Sequence, residues 1–112
     1  MMMPRLNRHL TLEAPERVPD DAGGFSTDWQ PLGTLWAQIS PGTGRERATH
    51  NLPRSYVPLQ IYVRAAPAGS PSRPIAGQRF REGTRIYNIN AVTERDKDGR
   101  FLLCHAEEEV AT

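Results

Sequence analysis

Residues 6–13 alternate, with Leu6, Leu10 and Leu12 on one side and Asn7, His9, Thr11 and Glu13 on the other, which is the two-residue period of a half-buried strand. Arg8 breaks the apolar side near its start. A second strand is predicted from Trp29, with Leu35, Ala37 and Ile39 facing one way and Trp36 and Gln38 the other, until Pro41-Gly42 stops the ladder. Residues 56–64 carry the cleanest alternation: Val57, Leu59, Ile61 and Val63 oppose Tyr56, Gln60, Tyr62 and Arg64. Pro58 falls in the outward set and cannot donate to a ladder, so this strand should begin at a sheet edge or ahead of its pairing. Residues 85–94 and 101–106 read as two further strands joined across Asp98-Gly99, a dipeptide that favours the type I′ turn of a hairpin.

The stretches between are dense in turn formers. Pro15, Pro19, Asp20-Asp21 and Gly23-Gly24 predict a loop or wide hairpin connection. Residues 40–55 lose all apolar period and become polar and cationic, and a connection this long without its own structure is usually functional or disordered. Residues 65–78 hold Pro67, Gly69, Pro71, Pro74 and Gly77 and read as a proline-rich excursion. Glu107-Glu108-Glu109 reads as a solvated acidic end, and neither helical periodicity nor an internal repeat is found. The expected fold is therefore all-β: a small antiparallel β-barrel or sandwich of about six strands with long loops, because closure removes edges that would otherwise aggregate. Residues 1–112 make one domain, with residues 1–5 a flexible N-terminus.

Composition narrows the function classes. A formal net charge of +1 creates no global field that would demand a polyanion, so nucleic-acid contact would have to come from a local cluster. The single Cys104 excludes an internal disulfide and suits a reducing cytoplasm or a virion assembled there. No apolar stretch approaches the roughly 20 residues of a membrane helix, and the opening Met1-Met2-Met3-Pro4-Arg5 lacks the apolar run of a signal peptide, so no membrane partner is expected.

Catalytic, cofactor and metal chemistry find no constellation. His9, His50 and His105 lie in separate segments without ligand spacing. Cys104 and His105 are strand neighbours, so they point to opposite faces and cannot act as a nucleophile and base. Asp96-Lys97-Asp98-Gly99 opens like a calcium loop but lacks the closing glutamate, and Gly42-Thr43-Gly44-Arg45 lacks the setting of a phosphate-binding turn. The carboxylates fall in turns and at the C-terminus rather than on apolar faces where burial could tune them. The one electrostatic feature is Arg45, Arg47, His50 and Arg54 in residues 40–55, where guanidinium groups could engage phosphates or pair with acids. Trp29 and Trp36 read as core or interface anchors.

The order of features resembles the phage head-tail joining family, also known as head-closure or stopper proteins. The resemblance rests on Leu6-Asn7-Arg8-His9-Leu10-Thr11-Leu12, the Asp20-Asp21-Ala22-Gly23-Gly24-Phe25 turn with Trp29 after it, and Leu35-Trp36-Ala37-Gln38-Ile39. It continues through Gly44-Arg45-Glu46, Leu59-Gln60-Ile61-Tyr62-Val63-Arg64, Gly83-Thr84-Arg85-Ile86-Tyr87-Asn88-Ile89, Leu102-Leu103-Cys104 and Glu107-Glu108. Residues 65–78 depart from the family's form by their length and proline content.

The resemblance implies an enzymatically inert barrel subunit without cofactors that assembles into a homo-oligomeric ring, typically a hexamer, in the neck of a tailed phage or phage-like gene-transfer particle. Its implied partners are a portal-bound adaptor, a tail terminator or tail-tube protein, and packaged double-stranded DNA in the channel. By position, residues 40–55 would be the channel-facing loop, bringing Arg45, Arg47, His50 and Arg54 to DNA or to neighbouring acids. Trp29, Trp36, Tyr56, Tyr62 and Arg64 are the expected subunit-interface residues. The alternatives are a monomeric OB-like or SH3-like nucleic-acid module, and a small hydrolase or isomerase that would need Cys104 or His105.

Overall fold

The computed structural model describes residues 3–42 and 54–111. Six strands form one sheet: β1 (Arg8–Pro19), β2 (Phe25–Pro41), β3 (Arg54–Arg64), β4 (Arg79–Glu82), β5 (Arg85–Glu94) and β6 (Phe101–Ala111). All neighbours are antiparallel, and the order β1-β2-β3-β6-β5-β4 closes on itself through a β1–β4 pairing of Thr11, Leu12 and Glu13 with Arg81, Phe80 and Arg79. No helix occurs among the described residues.

The alternating side chains fill the barrel as the period requires. Leu10 and Leu12 of β1, Ala37 of β2, Ile61 and Val63 of β3, Phe80 of β4, Tyr87 and Ile89 of β5, and Leu102, Cys104 and Ala106 of β6 form the buried cluster. Leu35, Ile39 and Leu59 pack against its rim. Val57 departs from the expectation: the β2 ladder has ended at that level, and the side chain is 41% exposed. The β2–β3 ladder runs from Ala37↔Val63 to Pro41↔Leu59, and the Gly42 N–H then donates to the Pro58 carbonyl at 2.9 Å. A residue's nitrogen and carbonyl point to the same side of a strand, so the donor missing from Pro58 falls where the β2 ladder has already stopped. On the opposite side β3 pairs with β6 along its whole length, from Arg54↔Ala111 to Arg64↔Phe101.

Several expectations need correction. Residues 15–19 are not a loop: β1 continues through Pro15 and Pro19, and only residues 20–24 turn the chain into β2. The connection expected over residues 40–55 shrinks at both ends, because β2 reaches Pro41 and β3 starts at Arg54. β4 was not foreseen, since four residues, Arg79-Phe80-Arg81-Glu82, are too few to show a period. The β5–β6 hairpin is present, but positive φ occurs at Gly99 and not at Asp98, so the turn is not type I′. Instead the Gly99 N–H donates to the Asp96 carbonyl, and Asp96 also accepts the Arg100 N–H. Glu107, Glu108 and Glu109 are not a loose end but lie within β6, opposite Pro58, Val57 and Tyr56 of β3. Residues 65–78 do form an excursion between strands, yet it is docked: Pro74 is fully buried and Arg73 Nη1 donates to the Ala66 carbonyl.

Candidate assembly surfaces

Beyond Glu13, β1 has lost its β4 partner, and β2 before Ala37 pairs only with β1. Residues 14–19 and 25–30 therefore form a two-stranded ribbon of six residue pairs, about 20 Å long at the usual rise, that projects from the barrel. The departure point is built. The register slips between Leu12 and Glu13, where Leu12 faces Gly33 and Glu13 faces Pro31, leaving Leu32 as the extra residue of a β-bulge. Gly33 takes φ 143, a backbone state that favours glycine.

Glu13 fixes that point electrostatically. It is the only buried charged residue among those described, 2% exposed, and both its oxygens are taken. Arg79 Nε donates to Oε1 at 2.7 Å, and Arg81 donates to Oε2 from Nε at 2.9 Å and Nη2 at 2.8 Å. Arg79 is in turn stacked on Trp29, its guanidinium carbon 4.1 Å from the ring centroid, so the arm, the bulge and β4 are clamped together. The expectation that carboxylates stay in turns fails here. Alternation places Glu13 on the solvent side, and only the unforeseen β4 with Trp29 covers it.

The arm's far end is polar and acidic. Asp20 accepts the Ala22 and Gly24 N–H groups at 2.9 Å each, which close the turn and hold its carboxyl below the ordinary range. Phe25 stands 59% exposed beneath the Arg17 guanidinium.

A second surface lies outside β2 and β3. Trp36 is 53% exposed and stacks on His9 with ring centroids 4.6 Å apart. Beside it opens a groove of about 490 Å³ lined by Leu6, Leu35, Trp36, Arg64 and Ala66. Tyr62, opposite Gln38, continues the same face and bonds Gln60 through its hydroxyl. Of the expected interface residues, Trp36, Tyr62 and Arg64 thus come together. Trp29 sits apart at the arm's root, and Tyr56 lies at the far end of β3 opposite Glu109.

A third region is the barrel end where β2 stops at Pro41 and β3 starts at Arg54. Arg45, Arg47 and His50 lie outside the described residues, and Arg54 opens β3. A polar network secures another part of the rim. Arg8 grips Glu82 through two bonds of 2.8 and 2.6 Å, Tyr87 donates to Glu82 at 2.8 Å, and Arg85 grips Glu108 at 2.8 and 2.9 Å. The Arg8 bonds hold the Glu82 carboxyl down to about 2, while burial, reinforced by Glu82, pushes the Tyr87 hydroxyl up to about 12. Every charge in this network has a neutralising partner, which suits a fastening rather than an acid-base centre.

A projecting arm and an aromatic side face around a satisfied core are features of a part that joins other parts. The match to known families agrees: the phage head completion protein family covers residues 1–109. The chain belongs to that family. Among solved structures, a chain from the virion of a native gene transfer agent particle superposes with a TM-score of 0.84 at 52% identity, covering 98% of this chain and 100% of that one. A protein of Shigella flexneri 2a, determined in solution, matches with a TM-score of 0.67 at 21% identity and 96% coverage of both chains, which supports the fold alone. No curated protein matches. As a head completion protein the chain is a structural component of the head-tail connection, and its place is the virion or phage-like particle.

Proposed function

We propose that this head completion protein forms a homo-oligomeric ring, hexameric in the family's usual manner, between a portal-bound adaptor and the tail terminator or tail tube. There it retains packaged double-stranded DNA and presents a tail-docking surface, without catalysis or cofactor. The observation that carries this reading is the 52% identity, over the whole chain, with a component of a gene transfer agent virion. The fold supports it: a closed barrel has its backbone ladders satisfied, and the side surfaces left over suit one heterologous contact repeated by rotation. Residues 40–55 would face the channel, with Arg45, Arg47, His50 and Arg54 near DNA phosphates or a neighbour's acids. Trp36, Tyr62 and Arg64 would belong to the contact between copies, with Trp29 and Tyr56 nearer its margins.

The test is particle production with the gene deleted and then complemented. Deletion should give heads that fail to keep DNA or to accept tails, and the unaltered gene should restore both. Complementation by the Arg45→Ala/Arg47→Ala/Arg54→Ala variant should give normally folded protein and joined tails but leaking heads. Normal particles in the deletion strain would overturn the whole reading, and full DNA retention by the triple variant would overturn the loop's part in it.

A further inference from the structure

The arm and the Trp36 face are complementary in charge. Between residues 16 and 28, Arg17 stands against Glu16, Asp20, Asp21 and Asp28, a formal charge of −3 in a chain whose total is +1, so the remainder carries +4. Among the described residues no ion pair engages Glu16, Asp21, Asp28, Arg5 or Arg64. Arg64 lines the groove beside Trp36, His9 stacks on the same indole, and the Arg5 backbone is tied to Gln38 of that face. The arm offers an exposed Phe25 beneath Arg17 on a ribbon of net negative charge, and the groove offers an exposed indole beside the Arg64 guanidinium. An isolated two-stranded ribbon is marginal in water, so an arm built to project about 20 Å, and clamped at its root by Glu13, is suited to resting on another surface.

We infer that the acidic arm of one copy seats in the Trp36–Arg64 groove of the next, so that a single arm-to-face contact closes the ring. The inference rests on the ring reading above and names its interface. Arm and groove are different patches, so the contact is heterologous and propagates around an axis rather than stopping at a dimer.

Assembled particles carrying Ser26→Cys on the arm and Ala66→Cys at the groove's lip would be treated with a short bis-maleimide. Cys104 is fully buried and stays silent. The expected product is a ladder of covalent multimers of this chain, absent from either single variant. Glu16→Lys/Asp28→Lys should lower the ladder about tenfold, and adding Arg64→Glu should restore it, because juxtaposed like charges are costly and reversing both sides removes them. Cross-links that stop at dimers, that join the arm to a different virion protein, or that never form although the protein is present in particles would each overturn the inference while leaving the neck assignment standing. Absence of the chain from particles would instead overturn the neck assignment itself.

Discussion

Replacing Glu13 by glutamine tests whether one buried carboxylate holds the arm. The substitution keeps size and shape but removes the charge that three Arg79 and Arg81 contacts of 2.7 to 2.9 Å satisfy. Stripping one partner from a buried ion pair typically costs about 3–5 kcal/mol, because the remaining charge is stranded. Here the stranded groups are partly wet, with Arg79 and Arg81 side chains 21% and 47% exposed, so they regain water and the loss should fall to about 2–3 kcal/mol. At roughly 4 °C per kcal/mol for a domain of this size, the melting midpoint should drop by about 8–12 °C.

Thermal and urea unfolding followed by far-ultraviolet circular dichroism would measure that loss, with Glu16→Gln on the same strand as a control expected within about 0.5 kcal/mol of the parent. Native-state hydrogen exchange adds the local reading: amides of residues 14–19 and 25–30 should lose protection in Glu13→Gln before the barrel strands do. A Glu13→Gln protein as stable as the control, with the arm equally protected, would show that the bulge alone sets the arm and that the clamp described here is decorative.

The remaining predictions follow from the rim and the core. Glu82 is held at about 2 against an ordinary 4.5, so its contribution to stability is complete above pH 4.5 and is lost as the pH falls through 2; Glu82→Gln should flatten the acid limb of a stability-against-pH curve, and an unchanged limb would refute the network. Tyr87 is raised from 10.0 to about 12, so its contribution is complete below pH 10 and fades as the pH rises through 12; Tyr87→Phe should lessen the alkaline loss seen in the same titration. Burial pushes the Cys104 thiol up to about 12, so iodoacetamide at pH 8 should label it only at the rate of unfolding, and fast labelling of native protein would contradict the core assignment. A Cβ on Gly42 would lie 2.8 Å from Pro58 backbone and side-chain atoms, so Gly42→Ala should cost about 1–3 kcal/mol in melting experiments, and an unshifted midpoint would deny the close approach.

The barrel was legible because its signal is local. Leu10, Leu12, Ala37, Ile61 and Val63 alternate within their own strands, and burial follows the two-residue period without knowledge of the partner strand. What escaped depends on contacts distant in sequence. Pro15 and Pro19 look like loop residues, yet both stand in a ribbon that lacks a third strand, where their missing donors break no further ladder. Glu13 follows Leu12 in perfect alternation and reads as solvent-facing; its burial is created by arginines 66 and 68 residues away. The Asp98-Gly99 pair located the hairpin but not its turn, because the Asp96 carboxylate captures the Arg100 N–H and moves the tight turn one step back. Trp36 and Arg64 shared a predicted face, whereas the arm that complements them is built from residues whose prolines and glycines masked their strand character.

Closure of the barrel explains where association has to happen. In the ring β1-β2-β3-β6-β5-β4 each strand has a neighbour on both sides through the barrel proper, so no free edge remains there to recruit a partner. Two of the places where a strand outruns its neighbours are the β1–β2 ribbon beyond Glu13, and the start of β3 on its β2 side around Pro58. Both adjoin one element. The 17 residues of β2 run from Phe25 at the arm's tip, past the bulge at Leu32 and Gly33, to Pro41 at the entrance to residues 43–53. The arm and the strand end at Pro41 therefore belong to one continuous element, and the Glu13 clamp holds the ribbon's root where the register slips.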